Sequence, residues 1–165
     1  MIFELPPGLE KKLNRASMKK PWINRLLSFF FMPLVHKSGL KINFDPNNYF
    51  ALLPKKRFNI NWYGTVAGSA ILGNSELAAG SYLFMLTKGN YRMICKQLEY
   101  KFLLPSTEDI IFKTTIDEDD LNQKVATGEK FNISMTIKAF RAKNKLPGKR
   151  IGSGIISFHV WPLGI

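Results

Sequence analysis

The spacing of apolar positions changes along the chain, and each change predicts a different kind of element. Residues Gly8 to Met18 set Leu9 and Leu13 among Glu10, Lys11, Lys12 and Arg15, a helical period, with Pro6 and Pro7 placed to open it. A second helix is expected from Pro21 to Phe31, ending near Pro33, with Trp22, Leu26, Phe29 and Phe30 as a broad apolar stripe. From Gly39 the period becomes two. Leu40, Ile42 and Phe44 alternate with Lys41 and Asn43, Asp45-Pro46-Asn47-Asn48 makes a turn, and Tyr49 to Leu53 resumes, which predicts a strand hairpin.

Gly64 to Met85 follows neither pattern. Small and aliphatic residues mix with almost no charge (Ala67, Gly68, Ser69, Ala70, Ile71, Leu72, Gly73, Ala78, Ala79, Gly80), and Glu76 is the one charged residue of the stretch. A helix so apolar is expected to be buried nearly all round, its small residues allowing a sheet to approach closely. Gly64 to Gly80 is therefore expected to hold a central helix and the loop leading into it. Beyond Lys88-Gly89-Asn90 the period returns to two: a long strand from Tyr91 to Leu104, another from Asp109 to Ile116, a third from Phe131 to Ala142 and a last from Ile151 to Trp161. The acidic run Asp117 to Asp120 and the turn at Gly128-Glu129 read as a connection with a short helix, and Lys143 to Arg150 as a basic Pro-Gly loop. Strands in an antiparallel meander with one helix laid across them make an α+β layer architecture.

Composition narrows the function classes. A chain of 165 residues, 45% hydrophobic and 22% charged, fits one globular domain with a real core. A net charge of +12 attracts polyanions of any kind, but no zinc-finger spacing, RNP motif or basic-leucine heptad accompanies it, so nucleic acid is not the expected partner. The single cysteine, Cys95, excludes an internal disulfide and a multi-cysteine metal cluster; it lies in a strand-like run and is expected to be a buried, inert thiol. The apolar run Leu26 to Val35, broken by Ser28 and Pro33, is too short to cross a membrane and lacks the small residues of a signal-cleavage site, so a cytoplasmic location is expected. A membrane surface remains a candidate partner for the second helix. No Gly-x-Ser-x-Gly elbow is present, and neither His36 nor His159 lies near a serine-nucleophile motif.

The stretch Asn61-Trp62-Tyr63-Gly64-Thr65-Val66-Ala67-Gly68-Ser69, followed by Glu76, resembles the hotdog thioesterases of the phenylacetate-degradation and enterobactin-proofreading type. In that group a polar residue, two positions and a glycine lead into a His-Gly-Gly element, with an acid one helical stretch later. Asn61 falls on the polar position, Gly64 on the first glycine, Gly68 on the next and Glu76 on the acid. The motif Asn-x-x-Gly-Thr-x-x-Gly looks most like an uncharacterised branch of predicted thioesterases, some fused to acetyltransferase domains. The resemblance covers Gly39 to Trp161, and two positions depart from it: Ala67 stands where many relatives carry His, and Ser69 replaces the second glycine.

The resemblance implies a hotdog fold, an antiparallel sheet wrapped around one long central helix, at residues 39–165, with residues 1–38 as a helical extension. It implies hydrolysis of an acyl-CoA or acyl-carrier-protein thioester by a homodimer or dimer of dimers, with coenzyme A entering only as part of the substrate and no metal at the site. The chemistry is coherent with the residues. A helix start offers free N–H groups for a developing oxyanion, and Gly68 leaves its amide without a side chain in the way. Glu76 is either the base or nucleophile at a subunit interface or a merely paired carboxylate. Asn61 is either a turn residue or a catalytic group that positions substrate or water. Gly64, Thr65, Ser69, Asn74 and Ser75 are assigned to substrate binding. Lys55-Lys56-Arg57 and the cluster Arg141, Lys143, Lys145, Lys149, Arg150 are solvated faces or contacts to nucleotide phosphates or a carrier protein. The alternative reading is a non-catalytic hotdog protein that binds an acyl chain or CoA and associates with a membrane.

Overall fold

A computed structural model describes residues 6–20, 22, 23, 26, 29 and 32–164. Helix α1 spans Pro7–Lys19, with proline in its first turn as expected. The helix expected over Pro21 to Phe31 lies largely outside the described residues; of its members, Trp22, Ile23, Leu26 and Phe29 are described, all in helical backbone. A short helix, α2, runs Pro33–Ser38 and ends on Gly39 in the left-handed conformation. Strands β1 (Lys41–Asn43) and β2 (Phe50–Leu53) form the expected hairpin, with Ile42 opposite Ala51.

The central helix, α3, spans Gly68–Leu86. It starts four residues after Gly64 and runs six past Gly80. Strands β3 (Tyr91–Phe102) and β4 (Ile110–Thr115), helix α4 (Glu118–Thr127), and strands β5 (Phe131–Lys143) and β6 (Leu146–Pro162) complete the chain. Asp117 caps α4 by accepting from the Asp120 amide at 3.0 Å. The basic segment expected as a loop over Lys143 to Arg150 is instead hairpin: only Asn144 and Lys145 turn, both at positive φ, and Leu146 to Arg150 is already strand.

The six strands form one antiparallel sheet in the order β1-β2-β4-β5-β6-β3. The expected meander holds for β4-β5-β6 but not for β3, which pairs with β6 at the far edge. The reason is α3. Counting directions through the antiparallel pairs, β2 and β3 run parallel with three strands between them, so the connection must cross the sheet. Four strand spacings are about 19 Å, and the 19 residues of α3 reach about 28 Å.

Burial follows the pattern that predicted the strands. On β5, Phe131, Ile133, Met135, Ile137 and Ala139 are buried while Asn132, Ser134 and Lys138 are exposed. These side chains join Leu53, Ile110, Phe112, Ile156 and Val160 of the neighbouring strands and Leu83 of α3 in one core. Each full-sized aliphatic or aromatic side chain so buried stabilises the fold by about 1.5–3 kcal/mol. Ala78 and Ala79, fully buried, let the helix backbone lie close on this layer.

α1 reaches the same body through side chains. Arg92 of β3 makes a bidentate pair with Glu10, at 3.1 and 2.6 Å, and Asn14 Nδ2 donates to the Gly89 carbonyl at 3.1 Å. Gly89 sits at φ +64, and a Cβ there would lie 2.9 Å from Asn14 Cβ, so both its conformation and the approach of α1 require glycine.

Candidate active site

Asn61 organises the loop that leads into α3. Its side-chain oxygen accepts from the Tyr63 amide at 3.0 Å, the Thr65 amide at 3.1 Å and the Thr65 hydroxyl at 3.0 Å. Its backbone donates to the Thr65 carbonyl and accepts from Gly64, which takes φ +72. Asn61, Gly64 and Thr65 thus form one tight turn, and at its tip Trp62 and Tyr63 stand 98% and 86% exposed. The Val66 amide donates to Ser106 and the Ala67 amide to Asn59, so the first N–H groups of α3 left without an acceptor among the described residues are those of Gly68 and its successors. A Cβ on Gly68 would lie 3.4 Å from the Phe102 ring, which borders this helix start.

Glu76 lies two turns further along. It is exposed, and among the described residues it makes no ion pair or hydrogen bond. The expectation of a helix buried nearly all round holds only in part: seven of the 19 residues of α3 are buried, ten are half-buried, and Ser69 and Glu76 are exposed. They share a face, being seven residues apart. Glu76 opens on a cavity of about 440 Å³ between α3, α1 and β3, lined by Leu77, Gly80, Ser81 and Phe84 of α3, Tyr91, Met93, Ile94 and Cys95 of β3, Glu10, Asn14 and Ser17 of α1, and by Met32, Val35, Ile42, Phe44 and Phe158. The volume and the mostly apolar wall suit a small-molecule site.

Asn74 and Ser75 flank Glu76 in sequence but turn inward. Asn74 Oδ1 accepts from Ser38 Oγ at 2.8 Å and its amide donates to the Ala70 carbonyl, while Ser75 Oγ donates to the Leu72 carbonyl at 2.7 Å. Both side chains are fully buried, and neither reaches the cavity. Of the residues assigned from sequence to catalysis or substrate binding, only Glu76 lines it.

Cys95, expected to be buried, is half-buried on the cavity wall. Burial pushes its thiol pKa up, and the Glu76 carboxylate raises it further. The thiol therefore keeps its proton near neutral pH and is a poor nucleophile. Among the described residues the one other carboxylate that lines the cavity is Glu10, which is committed to Arg92. Among the described residues no group of three or more His, Cys, Asp or Glu side chains is placed to hold a metal ion.

Comparison with known structures places this architecture. A protein of unknown function from Chlorobaculum tepidum superposes with a TM-score of 0.73 at 16% identity, covering 95% of this chain and 96% of its own. A thioesterase from Haemophilus influenzae gives 0.67 at 12% identity over 86% and 92% of the two chains. A thioesterase-family protein from Silicibacter pomeroyi gives 0.66 at 13% identity over 90% and 98%. The chain has the hotdog fold. No family model matches it, and no curated protein does. The three superpositions span 95%, 86% and 90% of this chain.

Apart from Cys95, read as an inert thiol, the cavity residues on β3 and α1 were not assigned a role from sequence. Leu77, Gly80 and Phe84 lie one, four and eight positions after Glu76, on one side of a helix, and that spacing was a usable signal. The approach of α1 carried none, because it depends on contacts such as Glu10 to Arg92, far apart in the chain.

Proposed function

We propose that the protein is a thioesterase that hydrolyses an acyl-CoA or acyl-carrier-protein thioester, with Glu76 as the carboxylate that activates water or attacks the carbonyl. One observation carries this reading: the only acid of the central helix stands with its oxygens uncommitted at a largely apolar cavity of about 440 Å³. An acyl chain fits the apolar wall, and the thioester then lies beside the carboxylate. Thioesterases of the same fold support the reaction class.

The work divides between two copies of the chain. Gly68 and Glu76 are eight residues apart on one helix, about 12 Å along its axis, whereas a reacting carbonyl needs its donor and its base each within about 3 Å. A second α3 running antiparallel to the first would bring its Gly68 end to the first copy's Glu76. Strand β3, 12 residues long, offers a seam for this association, since among the described residues it pairs only with β6 and its other edge carries no strand. In the hydrolytic form, the substrate oxygen accepts from the amides at Gly68 and Ser69. Glu76 takes a proton from water as the water oxygen bonds to the carbonyl carbon, and the tetrahedral oxyanion collapses. The carbon–sulfur bond breaks, and the proton held by Glu76 goes to the departing thiolate. Ala67 adds no side-chain donor, so the helix amides carry the oxyanion alone.

Thiol release by the purified full chain, measured over acyl-CoA esters of graded chain length, tests the reading. Glu76→Gln is expected to lower kcat by about 10²- to 10⁴-fold. Equal kcat in the two proteins removes Glu76 from the mechanism.

A further inference from the structure

The segment between α1 and β1 holds several large apolar side chains that stand exposed, Phe29 among them packing edge-on against the His36 ring. Trp22 is 64% exposed, Leu26 51%, Phe29 55%, Met32 44% and Leu34 44%. Trp22, Leu26 and Phe29 are spaced i, i+4, i+7, one face of a helix. Several exposed large apolar side chains within so short a stretch mark a surface that something covers.

The charge around the run says what kind of surface covers it. Residues 1–38 hold seven Lys and Arg against two Glu. Lys20 and Lys37 bracket the apolar run and are exposed, as are Lys11, Lys12 and Arg15 of α1. Glu10 does not offset them, being paired with Arg92. Aromatic and aliphatic side chains bracketed by cations suit a helix lying in the interface of an anionic bilayer. No described helix is long and apolar enough to cross a membrane, and contact with a bilayer surface needs none. A second copy is the poorer fit, because a two-fold contact of this face with itself sets like charges against each other.

We propose that this face docks on an anionic lipid surface, with Trp22, Leu26, Met32 and Leu34 entering the acyl boundary and Lys20 and Lys37 meeting the headgroups. The proposal stands independently of the thioesterase reading. It bears on the candidate site all the same, because Met32 belongs both to the exposed run and to the wall of the Glu76 cavity. Docking therefore sets one wall of that cavity at the lipid boundary.

Co-sedimentation of the full chain with vesicles of phosphatidylcholine alone, and of phosphatidylcholine mixed with phosphatidylserine, tests it. The wild-type chain is expected to bind the anionic vesicles at least about tenfold more tightly, with added salt weakening the binding. The triple change Trp22→Ser, Leu26→Ser, Leu34→Ser is expected to weaken it by roughly tenfold or more. Lys20→Glu with Lys37→Glu, two exposed positions whose change leaves packing alone, is expected to abolish the preference for the anionic vesicles. A vesicle-induced blue shift of tryptophan fluorescence should persist in Trp62→Phe and vanish in Trp22→Phe. Wild-type protein that stays in the supernatant with both vesicles overturns the proposal, as does equal binding by wild type and the lysine variant. So does a triple variant that loses self-association while wild type ignores the vesicles, which assigns the face to a second copy.

Discussion

Glu76 and Cys95 line one cavity from two elements, the central helix and the edge strand, and the carboxylate's charge is felt at the thiol. Burial is the larger cause of the raised Cys95 pKa and Glu76 the next. Replacing Glu76 by Gln removes the second cause and keeps the first. The Cys95 pKa should fall, and alkylation of this single cysteine by iodoacetamide at mildly alkaline pH should accelerate by about two- to fivefold. An unchanged rate, followed by mass spectrometry, would show that Glu76 does not act on Cys95.

Asn61 offers a separation of two roles by one atom. Its side-chain oxygen accepts three hydrogen bonds within the turn, while its side-chain NH₂ has no partner among the described residues. Asn61→Ala removes all three and is expected to cost about 1–3 kcal/mol in chemical denaturation. Asn61→Asp keeps the acceptor and should cost less. If the free NH₂ positions substrate or water, Asn61→Asp loses kcat while remaining folded; if the residue only builds the turn, kcat survives in Asn61→Asp.

The parts of this fold that are local in sequence were legible there, and the parts set by distant contacts were not. The alternation of Phe131 through Ala139 marks β5 and its buried face without further help. The small-residue composition marks α3. The place of β3 at the far edge is not visible in its own residues, because it follows from how far α3 carries the chain across the sheet. Asn74 and Ser75 were grouped with Glu76 by adjacency, yet successive helical residues point about 100° apart, and the two turn toward Ser38 and Leu72 instead. The exposure of Glu76 was not legible either, since an apolar helix predicts burial and one open stripe is left by how α1 and β3 flank it.

Gly152 and Gly154 of β6 lie opposite Phe102 and Tyr100 of β3, and this register decides what a side chain there would meet. A Cβ on Gly152 would lie 2.5 Å from the Tyr100 hydroxyl and 2.7 Å from its ring, whereas one on Gly154 would strike the Glu99 carbonyl of the paired strand. Gly154→Ala is therefore expected to destabilise by about 2–4 kcal/mol whatever stands at position 100, because the obstacle is backbone. The cost of Gly152→Ala should be partly relieved by Tyr100→Leu, with a coupling of about 1 kcal/mol or more in a double-mutant cycle read by denaturation. Additive costs at Gly152 and Tyr100 would mean that the ring does not occupy that space.

Tyr49 makes stability fall at alkaline pH. Its hydroxyl donates to the Ala78 carbonyl of α3 at 2.5 Å, and burial, followed by the neighbouring Tyr82 charge, holds its pKa far above the usual value. An unfolded tyrosine ionises near pH 10. Below that pH both states hold the proton and the full stability is present; above it only the unfolded state releases the proton, so stability falls as pH rises toward the folded-state pKa. The slope contributed by this residue approaches about 1.4 kcal/mol per pH unit. Tyr49→Phe loses the hydrogen bond and should be less stable by about 0.5–1.5 kcal/mol at neutral pH, yet it should lose less with rising pH. A residual slope is expected in the variant, because Tyr82 and Tyr100 are also raised, Tyr100 to about 12 by burial. Urea midpoints measured from neutral pH to beyond pH 10 check the sign: the gap between wild type and Tyr49→Phe should narrow above pH 10, and parallel curves would place the Tyr49 hydroxyl in water.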